Sequence, residues 1–224
     1  MTKPIIFCDF DGTVTESDNI IAIMKRFAPL GWEAIKDQIL SQQISISDGV
    51  GKLFSLLPSD WKDEITAFAL EKAKIRPGFK EFVEFARSEK IPFYIISGGI
   101  DFFLHPILDE FGPFDGVYCN GSDFSGETIK ILWPHECDEL CNNRCGCCKP
   151  SIIRQLNIAE DRFKIVIGDS VTDLEAAKQA DFVLARDLLQ EKCVEWGINH
   201  RGFKTFYDCI EEIKKRIGVG ELKC

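Results

Sequence analysis

The chain has 224 residues, 45% of them hydrophobic and 28% charged, which suits one packed domain with a modest insertion and excludes a disordered chain. Its 27 Lys and Arg stand against 36 Asp and Glu, a formal charge of −9 that argues against a general binder of nucleic acid or anionic membrane, yet leaves room for a local phosphate site. No apolar run approaches the ~18 residues of a membrane span, and the stretch from Met1 to Phe7 is too short for a signal peptide before Asp9 and Asp11 follow, so the expected location is the cytoplasm.

Pro4 to Phe10 is a β-branched and aromatic run that stops at Asp-Gly, the pattern of a buried strand ending in a sharp turn. From about Ser17 to Lys74 the apolar residues fall at helical spacing, with Ser59 in N-cap position for a helix over Trp61 to Lys74. This predicts an all-helical insertion, and Arg76-Pro77-Gly78 punctuates its end. Phe79 to Glu89 reads as a helix, and Ile91 to Ile96 as a strand ended by Ser97-Gly98-Gly99, with a helix from about Asp101. Val117 to Phe124 and Thr128 to Trp133 alternate around Ser125-Gly126, as a hairpin does. A Cys-rich loop precedes a helix from Pro150; a strand over Phe163 to Ile167, a helix over Thr172 to Gln179 and a strand over Phe182 to Ala185 come next. Two helices, Leu188 to Trp196 and Thr205 to Ile217, end the reading.

Strands alternating with helices predict an α/β domain with a doubly wound, mainly parallel sheet, Rossmann-like, whose ligand site lies outside the carboxyl ends of the strands. Residues 1–15 and 76–224 would form this core, including the hairpin and Cys-rich loop of 117–148, and residues 16–75 a helical cap inserted after the first strand. Three polar clusters fall at strand ends: Asp9 to Thr13, Ser97-Gly98-Gly99, and Gly168 to Asp173. Asp9 and Asp11, two residues apart on extended chain, can face one side, and Asp169 and Asp173 add carboxylates from another strand. Carboxylates that converge repel unless a cation intervenes, and an all-oxygen set suits Mg²⁺. Ser97, the amides of Gly98 and Gly99, and Lys149 suit an anion. Mg²⁺ beside an anion cradle points to phosphoryl transfer, where positioning and electrostatics do most of the catalysis.

Taken together, Asp9-Phe10-Asp11-Gly12-Thr13, Ser97, Lys149 and Gly168 to Asp173 resemble the four motifs of the haloacid-dehalogenase-like phosphatases, in that family's order. The resemblance implies that Asp9 is a nucleophile forming an aspartyl-phosphate, and that Asp11 protonates the leaving alcohol and then activates water. It implies that Asp9, the main-chain carbonyl of Asp11 and Asp169 bind Mg²⁺ with Asp173 in support, and that Thr13, Ser97, Gly98 and Lys149 hold the phosphate. The helical insertion is similar to the cap of the phosphoserine-phosphatase type. Within that type, Ser17 to Ile20, Asp101-Phe102-Phe103, Trp133 to Cys137 and Cys145 to Pro150 resemble the branch that dephosphorylates a methylthiopentenyl phosphate in methionine salvage. The implied partner is a small phosphate ester, with neither nucleic acid nor membrane.

Phosphoserine phosphatases carry a Glu nine residues after the nucleophile and a cap Arg for the substrate carboxylate. Here Asp18 and Lys52 stand near those places, and ordinary surface charges on cap helices account for them nearly as well. Phosphoserine or another small phosphomonoester therefore stays as the alternative substrate. Six of the ten Cys lie between residues 119 and 148. Cys137, Cys141, Cys145, Cys147 and Cys148 are compatible with a structural Zn²⁺ site, with disulfides or with free thiols, although a reducing cytosol disfavours a disulfide scaffold. His135 is a weak further ligand candidate, and Cys224 reads as incidental. A non-catalytic metal-binding or interaction protein built around this loop is the alternative of a different class.

Overall fold

The computed structural model describes residues 3–156, 158 and 162–217; Cys224 lies outside them. Strand β1 (Lys3–Cys8) is the centre of the fold. Ile6 and Cys8 enter one buried cluster while Ile5 and Phe7 enter another, because successive side chains of a strand point to opposite faces. Helices therefore cover both faces, which is why the strand reads as a continuous apolar run rather than an alternating one. On the first face lie α5 (Phe79–Ser88) and α10 (Phe206–Ile217), joined by an aromatic cluster in which the Phe79 and Phe206 rings stand 5.0 Å apart. On the second lie α7 (Lys149–Gln155), which contributes Ile152 and Ile153, and α8 (Leu174–Ala177), which contributes Ala176.

Strands β2 (Phe93–Ile100) and β5 (Arg162–Gly168) flank β1, and both pair parallel to it. Outward from β2 come β3 (Gly116–Asp123), parallel, and β4 (Lys130–Leu132), antiparallel; outward from β5 come β6 (Phe182–Ala185) and β7 (His200–Gly202), both parallel. The described strands thus form one sheet in the order β4-β3-β2-β1-β5-β6-β7. The chain builds one wing first and then crosses back to the other side of β1, so a switch point falls at the carboxyl end of β1, where doubly wound sheets open a crevice. Helices α6 (Asp101–Leu108) and α9 (Asp187–Glu195) complete the layers.

Between β1 and α5 stand four helices: α1 (Asn19–Phe27), α2 (Trp32–Leu40), α3 (Ile46–Phe54) and α4 (Lys62–Lys72). Their own apolar residues, among them Ile23, Met24, Leu53 and Ile65, are buried. The segments leading into and out of this unit run side by side: Thr15 and Ile75 form an antiparallel bridge, Glu16 N–H donates to Lys74 O at 2.8 Å, and Arg76 N–H donates to Val14 O at 2.8 Å. The unit also touches the hairpin, where Ser59 N–H donates to Glu127 O and Ile129 N–H to Leu57 O, both at 3.0 Å. Phe54 of α3 packs edge-on against Phe102 of α6 at 6.1 Å. No helix among the described residues is long and apolar enough to cross a membrane.

Three sequence expectations need correction, and one strand is added. Ser59 does not cap α4: Ser59–Trp61 is a 3₁₀ turn, and the buried Ser59 hydroxyl lacks a partner among the described residues. Ser97-Gly98-Gly99 does not end β2, which runs on to Ile100, but the β2–β3 register breaks between Ile96 and Ile100, so the glycines mark an irregularity within the strand. The helix expected over Thr172–Gln179 is a 3₁₀ turn, Val171–Asp173, followed by the short α8. Strand β7 has no counterpart in the sequence reading, because His200-Arg201-Gly202 is neither apolar nor alternating and is ordered by pairing with β6.

Candidate active site

The sheet order brings three loops to the switch point. Asp9 follows β1 directly, and its N–H donates to Ile167 O of β5 at 2.9 Å, so the ladder carries on one residue past the strand and fixes the carboxylate. Asp169 and Asp173 follow β5, and Lys149 opens α7. Carboxylate oxygens of Asp9, Asp169 and Asp173 all lie within 4.8 Å of one another. Lys149 Nζ stands 2.8 Å from Asp9 Oδ1 and 2.5 Å from Asp173 Oδ1, with Thr172 Oγ1 at 3.3 Å. Lys149 and both of its carboxylate partners are 5% exposed or less.

Three carboxylates against one ammonium leave a buried negative excess. Burial, then Asp173 and Asp169, push the Asp9 carboxyl upward against the opposing pull of Lys149. Burial and Asp173 raise Asp169 to about 6. Burial disfavours the Lys149 ammonium, but Asp173 and Asp9 outweigh it and hold the lysine protonated. A divalent cation beside Asp9 and Asp169 would relieve this repulsion, and the all-oxygen donor set fits Mg²⁺. Asp173 is anchored differently: its Oδ2 accepts from Asp169 N–H at 3.1 Å and Ser170 N–H at 3.0 Å, so it orders the loop that carries Asp169.

Asp11 stands apart from that cluster. Its Oδ1 accepts from Asn19 N–H at 2.9 Å and from Asn19 Nδ2 at 2.7 Å, while Oδ2 is buried with no partner among the described residues. Burial, and next the charge of Asp18, lift its carboxyl to about 7, the range in which an acid can both give and take a proton near neutrality. Gly99 permits this arrangement, since a Cβ there would lie 2.7 Å from Asp11 Oδ2. Gly12 likewise could carry no side chain, being at φ 80° and pressed against the Asp169 carboxylate.

Of the residues assigned to phosphate, Ser97 is fully buried, and its Oγ accepts from Gly99 N–H at 2.9 Å, leaving its own proton to donate. Gly98 faces open space, and its carbonyl is held by Asn120 Nδ2 at 2.7 Å. Thr13 has another engagement: its hydroxyl donates to Asp169 Oδ1 at 2.8 Å. Asp18 is exposed and caps α1, accepting from Ile21 N–H at 2.9 Å; Lys52 is exposed in the last turn of α3. A cavity of about 280 Å³ lies between α3 and the Cys-rich loop, lined by Ser47, Asp48, Trp133, Arg144 and Gly146 among others.

Three further residues, none of them a site candidate from sequence, support the site. Asn19 holds Asp11, Asn120 holds Gly98, and Arg76, 5% exposed, gathers the motif loop. Arg76 Nε donates to Thr13 O at 2.7 Å, and Nη2 donates to Gly12 O at 2.7 Å and Thr15 O at 3.2 Å. An arginine beside Pro-Gly at the end of the insertion is the only signal the sequence offers, and its partners are backbone carbonyls, which no sequence spacing reveals.

A fold with an acidic loop at the switch point and a helical insertion just behind it defines a class, and the family profile of the haloacid dehalogenase-like hydrolases matches residues 6–178; the chain belongs to that family. It is 57% identical over 216 residues, 96% of this chain and 98% of the relative, to the 2-hydroxy-3-keto-5-methylthiopentenyl-1-phosphate phosphatase of Geobacillus kaustophilus (strain HTA426). A protein of the same name from Geobacillus thermodenitrificans (strain NG80-2) is 57% identical over 211 residues, 94% of this chain and 96% of that one. Among solved structures, a substrate-bound phosphoserine phosphatase shares the fold, with a TM-score of 0.71 over 95% of this chain and 99% of that chain at 17% identity.

Proposed function

We propose that the chain hydrolyses 2-hydroxy-3-keto-5-methylthiopentenyl-1-phosphate to 1,2-dihydroxy-3-keto-5-methylthiopentene and phosphate in the cytoplasm, as a Mg²⁺-dependent step of methionine salvage. The observation that carries the chemistry is the buried contact of Asp9 with Lys149, beside Asp169 and Asp173. The near-complete similarity to relatives of that name supports the substrate. In this reading Asp9 attacks phosphorus while the bond from phosphorus to the substrate's C1 oxygen breaks. Asp11, protonated on Oδ2, gives its proton to the departing oxygen. Asp11 then takes a proton from water, whose oxygen attacks the aspartyl-phosphate and returns Asp9 as a carboxylate. Lys149, Ser97 and the Gly98 backbone cradle the phosphoryl oxygens. Mg²⁺, held by Asp9, Asp169 and the Asp11 carbonyl with Asp173 in support, would neutralise charge gathering on the phosphoryl group. Residues 16–75 act as the cap that excludes water until the substrate is aligned.

The substrate's thioether body is uncharged, whereas phosphoserine brings an ammonium and a carboxylate that would need buried partners. A kinetic comparison tests the reading: kcat/KM for the enol phosphate should exceed that for phosphoserine by at least roughly tenfold, about 1.4 kcal/mol of transition-state binding. Preference for phosphoserine would overturn the substrate and leave the chemistry at Asp9 standing.

A further inference from the structure

Four of the five clustered cysteines converge on one point. The sulfurs of Cys137, Cys141, Cys145 and Cys148 all lie within 4.8 Å of one another. Cys141 Sγ and Cys145 Sγ are 3.9 Å apart. A disulfide requires about 2.0 Å, whereas four sulfurs around a tetrahedral Zn²⁺ at about 2.3 Å stand about 3.8 Å from one another. The observed spacing is that of a metal shell, not of a bonded pair.

Independent features hold the shell in place. Cys145 N–H donates to Cys137 Sγ at 3.5 Å, an amide aimed at sulfur that favours the thiolate. Cys148 N–H donates to His135 O at 2.9 Å, so His135 anchors through its backbone and stays outside the sulfur cluster. Asp138 is clamped by Arg154, Nε to Oδ2 at 2.7 Å and Nη2 to Oδ1 at 2.6 Å, while its N–H donates to Ser151 Oγ at 2.7 Å. These bonds fasten the start of the loop to α7. Cys147 packs instead with Ile5, Phe7 and Ile152 under the sheet, so its side chain belongs to the core.

We propose that Cys137, Cys141, Cys145 and Cys148 bind one structural Zn²⁺ as four thiolates, and that this ion fixes the loop joining Lys149 to α3. Binding displaces four thiol protons to solvent and oxidises nothing. The loop meets α3 through Ser47 N–H donating to Arg144 O at 3.2 Å and through the ion pair of Arg144 with Asp48 at 3.0 Å. Cys148 directly precedes Lys149, so the ion sits at the root of the phosphate-binding lysine and at the rim of the cap. The ion takes no part in the reaction.

Elemental analysis of protein purified with reductant and zinc should find about one zinc per chain, and Co²⁺ in its place should give the strong visible bands of a tetrahedral thiolate complex. Cys145→Ser should lose the metal and Cys147→Ser should keep it. Should Cys145→Ser fail to fold, Co²⁺ titration of the unmodified protein decides the matter by itself. The inactive Asp9→Asn protein should retain its zinc, which separates this site from the phosphatase reading. Substoichiometric zinc after reconstitution, cobalt bands of octahedral type, a disulfide among these four cysteines in the reduced protein, or metal loss in Cys147→Ser rather than Cys145→Ser would each overturn the proposal.

Discussion

Asp9 and Asp11 are two residues apart and live in different surroundings: one shares a lysine with Asp173 and lies beside Asp169, the other is held by a single asparagine. Asp9→Asn should abolish turnover, since an amide is a poor nucleophile toward phosphorus; retained activity in protein shown by mass spectrometry to be free of deamidation would refute the assignment. Asp11→Asn should lower kcat by roughly 10²–10⁴, the usual contribution of general acid–base catalysis, with substrate binding preserved. Asn19→Ala leaves Asp11 one backbone donor of two and should cost about tenfold in kcat with little change in KM, in the range of a lost hydrogen bond to a charged group. Equal losses in kcat and folding stability, with KM raised, would instead make Asn19 a structural residue alone. The positions of Asp9 and Asp11 at the carboxyl end of β1 were legible in the sequence because they close an apolar run that fixes them locally. Asn120 and Arg76 were not, because their partners are set by how distant segments meet, and Asn19 was not, because the turn that folds it back onto Asp11 leaves no periodic pattern.

The helical insertion is attached at one place and braced at two others. Arg76 gathers the carbonyls of Gly12, Thr13 and Thr15, so the same guanidinium that shapes the motif loop also pins the root of both tethers. Arg76→Ala should destabilise the fold by about 3 kcal/mol, since buried carbonyls lose a charged donor. Arg76→Lys should recover only part of this, because an ammonium lacks the planar fork; full recovery by denaturant unfolding would contradict the clamp. Asp18 offers a contrast at the start of α1. As an N-cap, its replacement by Ala should cost about 1 kcal/mol and about 2–4 °C in Tm for a chain of this size, and loss of its charge should let the Asp11 carboxyl titrate lower, shifting the pH profile of kcat alike for either phosphate ester. Selective loss of phosphoserine turnover would return Asp18 to the substrate. The helical character of this unit was legible because apolar residues recur at helical spacing; its bonds from Leu57 and Ser59 to the hairpin were not, because backbone pairing between remote segments leaves no side-chain pattern.

Across the whole molecule, the buried excess of carboxylates at the switch point makes cation binding a source of stability. Mg²⁺ at a hundred times its dissociation constant should stabilise the protein by about 2.7 kcal/mol. The gain should shrink in Asp169→Ala, and chelator should remove both it and the activity; a melting temperature indifferent to Mg²⁺ would argue against the site. The sheet's winding order also has a consequence in time. During synthesis β1 emerges first, yet its partners are β2, beginning at Phe93, and β5, beginning at Arg162. The central strand therefore leaves the ribosome with both edges bare, and the second stays bare until most of the chain has been made. The helices of residues 19–72 pack in the pairs α1 with α4 and α2 with α3, which can form in the interval before α6 and the hairpin arrive to brace them. The cluster of Asp9, Asp169 and Asp173 is thus among the last parts of the nascent protein to exist. A chaperone that shields exposed strand edges should engage ribosome-bound chains lacking β5 far more than chains that include it.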